Sequence, residues 1–96
     1  MVTAIVLINA RRDAVNETAQ ALVGLDGVAE VYSVAGDWDL AAILRTKTNE
    51  QLADLVTNHM LKLEGILKTT TLIAFRTYSR FDLERMFSIG MEEEMA

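Results

Sequence analysis

Residues 28–46 read Val28-Ala29-Glu30-Val31-Tyr32-Ser33-Val34-Ala35-Gly36-Asp37-Trp38-Asp39-Leu40-Ala41-Ala42-Ile43-Leu44-Arg45-Thr46. Val28 to Val34 is rich in β-branched residues and carries Glu30 as its single charge, which predicts a strand. Residues 39–46 are again mostly apolar and predict a second strand. Between them lies Ala35-Gly36-Asp37-Trp38, a short connection with one glycine. Two strands joined by so short a loop form an antiparallel hairpin.

Upstream of the hairpin, residues 2–9 are aliphatic at nearly every position and predict a strand buried on both faces. Asp13 is the expected N-cap of a helix whose apolar face holds Val15, Ala19, Leu22 and Val23. Gly24 ends that helix, and Leu25-Asp26-Gly27 reads as a turn. Downstream, Thr48 and Gln51 have capping-box spacing. They open a helix with Leu52, Leu55, Val56, His59 and Leu63 on one stripe and Gly65 as its stop. Thr69 to Thr77 predicts the fourth strand. The order is β-α-β-β-α-β. The fold class is therefore α+β, a ferredoxin-like arrangement with a four-stranded antiparallel sheet and two helices on one face. After Tyr78 the pattern changes. Residues 82–87 have the composition of one or two helical turns, and Glu92-Glu93-Glu94 is a solvated charge run.

The chain has 96 residues, 51% apolar and 24% charged, which suits one globular domain with a thin core. Chains of this size often draw extra stability from disulfides, metals or partners. With no cysteine, disulfides and thiolate metal sites are excluded, and one histidine makes a His-rich site untenable. A partner subunit remains. The formal net charge of −5 is wrong for a direct nucleic-acid binder. No stretch approaches the roughly 20 apolar residues of a membrane span, and residues 2–8 lack the flanks of a signal peptide. The cytoplasm is the expected compartment.

The strands also say where a partner should sit. A lone domain of this fold leaves its helix-free sheet face to water, so that face should be polar. Here Ile5 and Leu7 back onto Ala4, Val6 and Ile8, and Ala41 and Ile43 back onto Leu40, Ala42 and Leu44. Ile73 and Phe75 likewise oppose Leu72 and Ala74. Such a bare apolar face asks for cover, and a second copy in a twofold dimer is the commonest solution. The competing cover is the C-terminal segment, through Tyr78, Phe81, Leu83, Met86, Phe87 and Ile89.

Few residues suggest chemistry. His59 sits on the apolar stripe with no nucleophile or carboxylate placed beside it by the sequence, so it reads as a packed or edge histidine. Asp37 and Asp39 flank Trp38. They suit either turn chemistry or a small polar ligand, with too few oxygens for a metal. Thr69-Thr70-Thr71 is either strand propensity or a row of ligand-binding hydroxyls. No catalytic, cofactor or metal residues are assigned.

Three segments together resemble the effector-binding domain of the Lrp/AsnC transcription regulators, also called the RAM domain. They are Leu25-Asp26-Gly27-Val28 leading to Glu30-Val31-Tyr32, the Gly36-Asp37-Trp38-Asp39-Leu40 hairpin, and Thr69-Thr70-Thr71-Leu72-Ile73-Ala74. The likeness covers residues 1–77, with 78–96 as a C-terminal extension, and is to the stand-alone form without a helix-turn-helix domain. It implies a face-to-face sheet dimer, an αβ-sandwich, built further into rings such as octamers. It also implies an amino acid effector bound between dimers. Carried to this sequence, Gly36, Asp37 and Asp39 would line that pocket with Thr69, Thr71 and Ile73. A carboxylate suits the effector's ammonium, and amides and hydroxyls suit its carboxylate. Trp38 stands where tyrosine or phenylalanine is commoner.

The function expected is amino acid sensing and oligomerisation without enzymatic activity, alone or in mixed assemblies with full-length Lrp/AsnC regulators. Two alternatives stay open. One is a dimeric ferredoxin-like enzyme of the small monooxygenase type, which would need an apolar cleft containing His59. The other is a purely structural oligomerisation module.

Overall fold

A computed structural model describes residues 1–78 and Arg80. The expectations for residues 81–96, helical turns and backfolding included, lie outside the described residues. The elements run β1 (Val2–Ala10), α1 (Val15–Val23), β2 (Val28–Ser33), β3 (Leu40–Thr46), α2 (Asn49–Asp54) and β4 (Ile66–Ile73). The strands form one antiparallel sheet in the order β2-β3-β1-β4. The ferredoxin-like reading holds.

The core lies on one side of the sheet. Ala4, Val6 and Ile8 of β1 and Leu40, Ala42 and Leu44 of β3 are buried with Leu22, Leu52, Leu55 and Met60 from the helical layer. Strict alternation produces this. Val6 pairs with Ala42 and Ile8 with Leu40, so both strands send the same parity of residue toward the helices. The opposite parity is also apolar. Ile5 pairs with Ile43 and Leu72, and Leu7 with Ala41. No helix among the described residues covers this second face, and Leu72 is 47% exposed there.

Four expectations are corrected. Asp13 does not cap α1. A 3-10 turn over Arg12–Ala14 precedes the helix, whose N-cap is Ala14, and Asp13 pairs instead with Arg11 at 3.4 Å. The Arg11 N–H donates to the Gly65 carbonyl at 2.8 Å, so the chain is pinned beside the start of β4 before it can turn into the helix. Within α1, Thr18 is buried and Val23 is exposed, reversing the expected face at one turn. Gly65 is where the helix layer closes on this corner. A Cβ there would run onto Thr18 Oγ1.

The third correction is the second helix. Thr48 caps it, its Oγ1 accepting from the Gln51 N–H at 3.1 Å. The helix then widens into a π-helical turn over Leu55–His59 and closes in a 3-10 turn over Met60–Lys62. One extra residue is thereby accommodated in the turn. His59 rotates off the apolar stripe to the surface, and Met60 enters the core with no exposure. Burying an apolar thioether in place of an imidazole is the gain that offsets the poorer π geometry.

The fourth is β4, expected at 69–77 and found at Ile66–Ile73. A bulge at Asn9/Ala10 lets Ile66 and Lys68 pair before the threonines begin. The strand ends beside the start of β1, with the Ala74 N–H donating to the Thr3 carbonyl at 2.9 Å.

Candidate functional site

The β2–β3 hairpin is closed by the Val34 N–H donating to the Asp39 carbonyl at 3.0 Å. Gly36 sits at φ +117°, a backbone region that side-chain-bearing residues rarely adopt. Nothing lies within 4 Å of where its Cβ would be, so the hairpin tip faces open space.

Asp39 ties the hairpin to the sheet twice. Its N–H donates to the Ile8 carbonyl at 3.0 Å, and its carboxylate Oδ2 accepts the Ala10 N–H at 3.0 Å. The second bond falls just past the end of the β1–β3 ladder, whose last pair is Ile8 with Leu40. The side chain thus satisfies a backbone donor while positioning the loop. Among the described residues it makes no other hydrogen bond.

Across β1, Ile8 pairs with Leu40 on one side and Thr69 on the other. Asp39 and Thr69 therefore share one end of the sheet, separated by roughly 10 Å at about 4.8 Å per strand. Thr71 and Ile73 follow on the same face of β4, about 7 and 13 Å beyond Thr69 at 3.3 Å per residue. Both are exposed on this edge strand. Within one chain, the hairpin and the start of β4 come together. Thr71 and Ile73 lie further along that edge, and Gly36 and Asp37 at the loop tip.

One residue at this end was missed by the sequence reading. Lys68 places its Nζ over the Trp38 ring, 5.6 Å from the centroid. Only its position before the threonine run could have suggested it.

The other end of the sheet carries an open groove of about 960 Å³, lined in part by Arg45, Lys47, Gln51, Asp54, Leu55 and His59. The Asn58 amide donates to Asp54 Oδ1 at 2.6 Å, and His59 Nε2 lies 3.4 Å from Asp54 Oδ2. The Asn58 bond chiefly holds the Asp54 carboxyl below its ordinary value; desolvation opposes it, and His59 and Lys62 add to the lowering. The groove contains His59, and most of its lining residues are charged or polar in type. Among the described residues there is no group of three His, Cys, Asp or Glu side chains able to hold a metal. No helix among them is long and apolar enough to cross a membrane.

On the helix-free face, Tyr32 donates to Glu30 Oε2 at 2.7 Å, and Glu30 faces Arg45 at 4.0 Å. The Glu30 carboxylate, by hydrogen bond and by charge, raises the phenol above its ordinary value. These three polar groups border the apolar patch of Ile5, Leu7, Ala41 and Ile43.

Comparison with known proteins agrees with this architecture. The profile of the Lrp/AsnC ligand binding domain matches residues 3–83. The HTH-type transcriptional regulator FL11 of Pyrococcus furiosus is 30% identical over 77 residues, 80% of this chain and 50% of that protein. The uncharacterised HTH-type transcriptional regulator PH1916 of Pyrococcus horikoshii is 33% identical over 61 residues, 64% of this chain and 41% of its own length. The chain thus spans half or less of these relatives. TTHA0845 from Thermus thermophilus superposes with a TM-score of 0.78 at 50% identity, over 83% of this chain and all of that one. The feast or famine regulatory protein Rv3291c from M. tuberculosis, solved with L-methionine, shares the fold at a TM-score of 0.68 and 24% identity. That match covers 83% of this chain and 54% of the other.

Proposed function

The chain belongs to the Lrp/AsnC ligand binding domain family, and on that premise we propose that it is an amino-acid-sensing and oligomerisation module of transcription regulation. The effector binds at the hairpin end of the sheet. The observation that carries this reading is the Asp39–Ala10 bond, which holds Gly36, Asp37 and Trp38 as a preset loop facing open space. A preset loop binds with less ordering cost than a mobile one. The carboxylates of Asp37 and Asp39 suit an ammonium, and Thr69, with Thr71 and Ile73 along the same edge, extends the surface. Since those last two stand apart from the hairpin in one chain, a pocket using all six residues is completed between subunits. That Rv3291c was solved with L-methionine supports an amino acid as the ligand class.

The module works as a homodimer through the helix-free sheet face, and dimers join into a larger ring such as an octamer. The apolar patch supports this, since burial of several hundred Å² at about 25 cal/mol per Å² contributes several kcal/mol. It acts in the cytoplasm without catalysis, with residues 1–77 as the sensing unit and 78–96 as an extension. Its net charge of −5 favours contact with DNA through full-length regulators in mixed assemblies rather than directly.

Titration calorimetry with the twenty amino acids tests the ligand reading. We expect at least one to bind at millimolar concentration or tighter, and binding by none overturns it. Light scattering tests the assembly. The wild type is expected as a multiple of the dimer and Leu72→Glu as a smaller particle, because Leu72 is exposed in the protomer and lies on the face of the proposed contact. A wild type that is strictly monomeric overturns the dimer.

A further inference from the structure

The hairpin end carries a cation as well as its two carboxylates. Lys68 extends from the edge strand β4, two strands away from the hairpin, yet its ammonium lies over the ring of Trp38. Trp38 is half-buried and directly precedes Asp39. Among the described residues Lys68 forms no salt bridge, although Asp37 and Asp39 are in the adjoining loop. Asp39 has one oxygen committed to the Ala10 N–H.

An ammonium has three donors, and contact with a ring face leaves donors for an anion. The indole also fixes where that charge stands, which a free lysine stem on an edge strand would not. The end of the sheet thus offers two carboxylates, one held ammonium and an apolar ring, which is the complement of a zwitterion with an apolar side chain.

We propose that Lys68, steadied by Trp38, takes the carboxylate of the amino acid effector and makes the site specific for ligands with a free carboxylate. This rests on the functional reading above and extends it. Threonine hydroxyls and loop amides, the carboxylate partners that the family resemblance implies, then become secondary. Trp38 is a positioning residue that also walls the site.

The experiment is calorimetry on the full chain with L-methionine and L-methioninamide, which differ only in the carboxyl group. The twenty-amino-acid panel run beside them identifies any better ligand, whose amide is then compared in the same way. Wild type is expected to bind the free acid at least about tenfold tighter than the amide, the order of one charge-assisted hydrogen bond. Lys68→Met keeps the stem against the indole, removes the charge and is expected to abolish that preference, while Lys68→Arg restores it. Lys68→Met retaining the full preference overturns this inference and leaves the functional reading standing. A wild type that binds no amino acid overturns both. Circular dichroism and particle mass of Lys68→Met, unchanged from wild type, separate lost recognition from lost folding, since Lys68 is exposed.

Discussion

The carboxylate of Asp39 accepts the backbone N–H of Ala10 at 3.0 Å, joining a loop residue to the end of a strand 29 positions earlier. The β1–β3 pairing ends at Ile8 and Leu40, so Asp39 takes a donor that this ladder leaves over. Replacing it by alanine leaves that part-buried N–H without its partner and frees the hairpin. Asp39→Ala is expected to destabilise the protein by about 1–2 kcal/mol in urea unfolding. Asp39→Asn, which keeps an oxygen acceptor, is expected to lose less. Equal losses for the two would show that the hydrogen bond is not the cause.

Gly27 and Gly36 both have positive φ, +97° and +117°, but only one is crowded. A Cβ on Gly27 would lie 2.8 Å from Leu55 Cδ2, whereas one on Gly36 meets nothing. Backbone strain alone predicts a cost of about 1–2 kcal/mol for Gly36→Ala. Strain plus overpacking of Leu55 predicts roughly 2–4 kcal/mol for Gly27→Ala. Chemical denaturation of both variants checks the order, and a larger loss at Gly36 would contradict it.

The π-helical turn makes neighbours in sequence opposite in environment. Met60 is fully buried and His59 is at the surface. Met60→Ala is expected to cost about 2–5 kcal/mol through the lost burial and the cavity. His59→Ala should change stability by no more than about 0.5 kcal/mol. A regular α-helix with His59 on the stripe predicts the reverse, so thermal melts of the two variants decide between the registers.

Asp54 is held below its ordinary value of 3.8, first by the Asn58 amide and then by the neighbouring cations. A carboxyl with a depressed folded value contributes stability at pH values above the unfolded value. That contribution is lost as pH falls through the folded one. The window is therefore below pH 3.8, and Asp54 contributes no pH dependence near neutrality. Asn58→Ala is expected to raise the Asp54 midpoint toward 3.8, read from its carboxyl carbon shift in an NMR titration. A midpoint that does not move would assign the depression to His59 and Lys62 instead.

Much of this architecture was legible because period-two apolar runs and glycine turns are local signals. Val28–Ser33, Gly36 and Leu40–Thr46 announce a hairpin on their own. The misreadings fall where tertiary packing overrides a local preference. Asp13 has the chemistry of an N-cap, but Arg11 just before it is tied to Gly65, and a 3-10 turn intervenes. Leu55, Val56 and His59 have helical spacing, but Met60 fills the core better than an imidazole does. Ile66 and Lys68 follow a glycine that looked like the end of a helix, and only the β1 bulge reveals them as strand.

By itself the sequence determined the order of elements, the two-faced apolar sheet and the hairpin with its paired aspartates, because side-chain alternation and turn chemistry act within a few residues. Only the tertiary structure decided that Asp39 anchors to Ala10, that Lys68 stands over Trp38, and that Met60 rather than His59 faces the core. Each of these depends on strand register and core volume. Register brings residues from remote segments to one end of the sheet, and close packing then allows one of two adjacent side chains to occupy the interior.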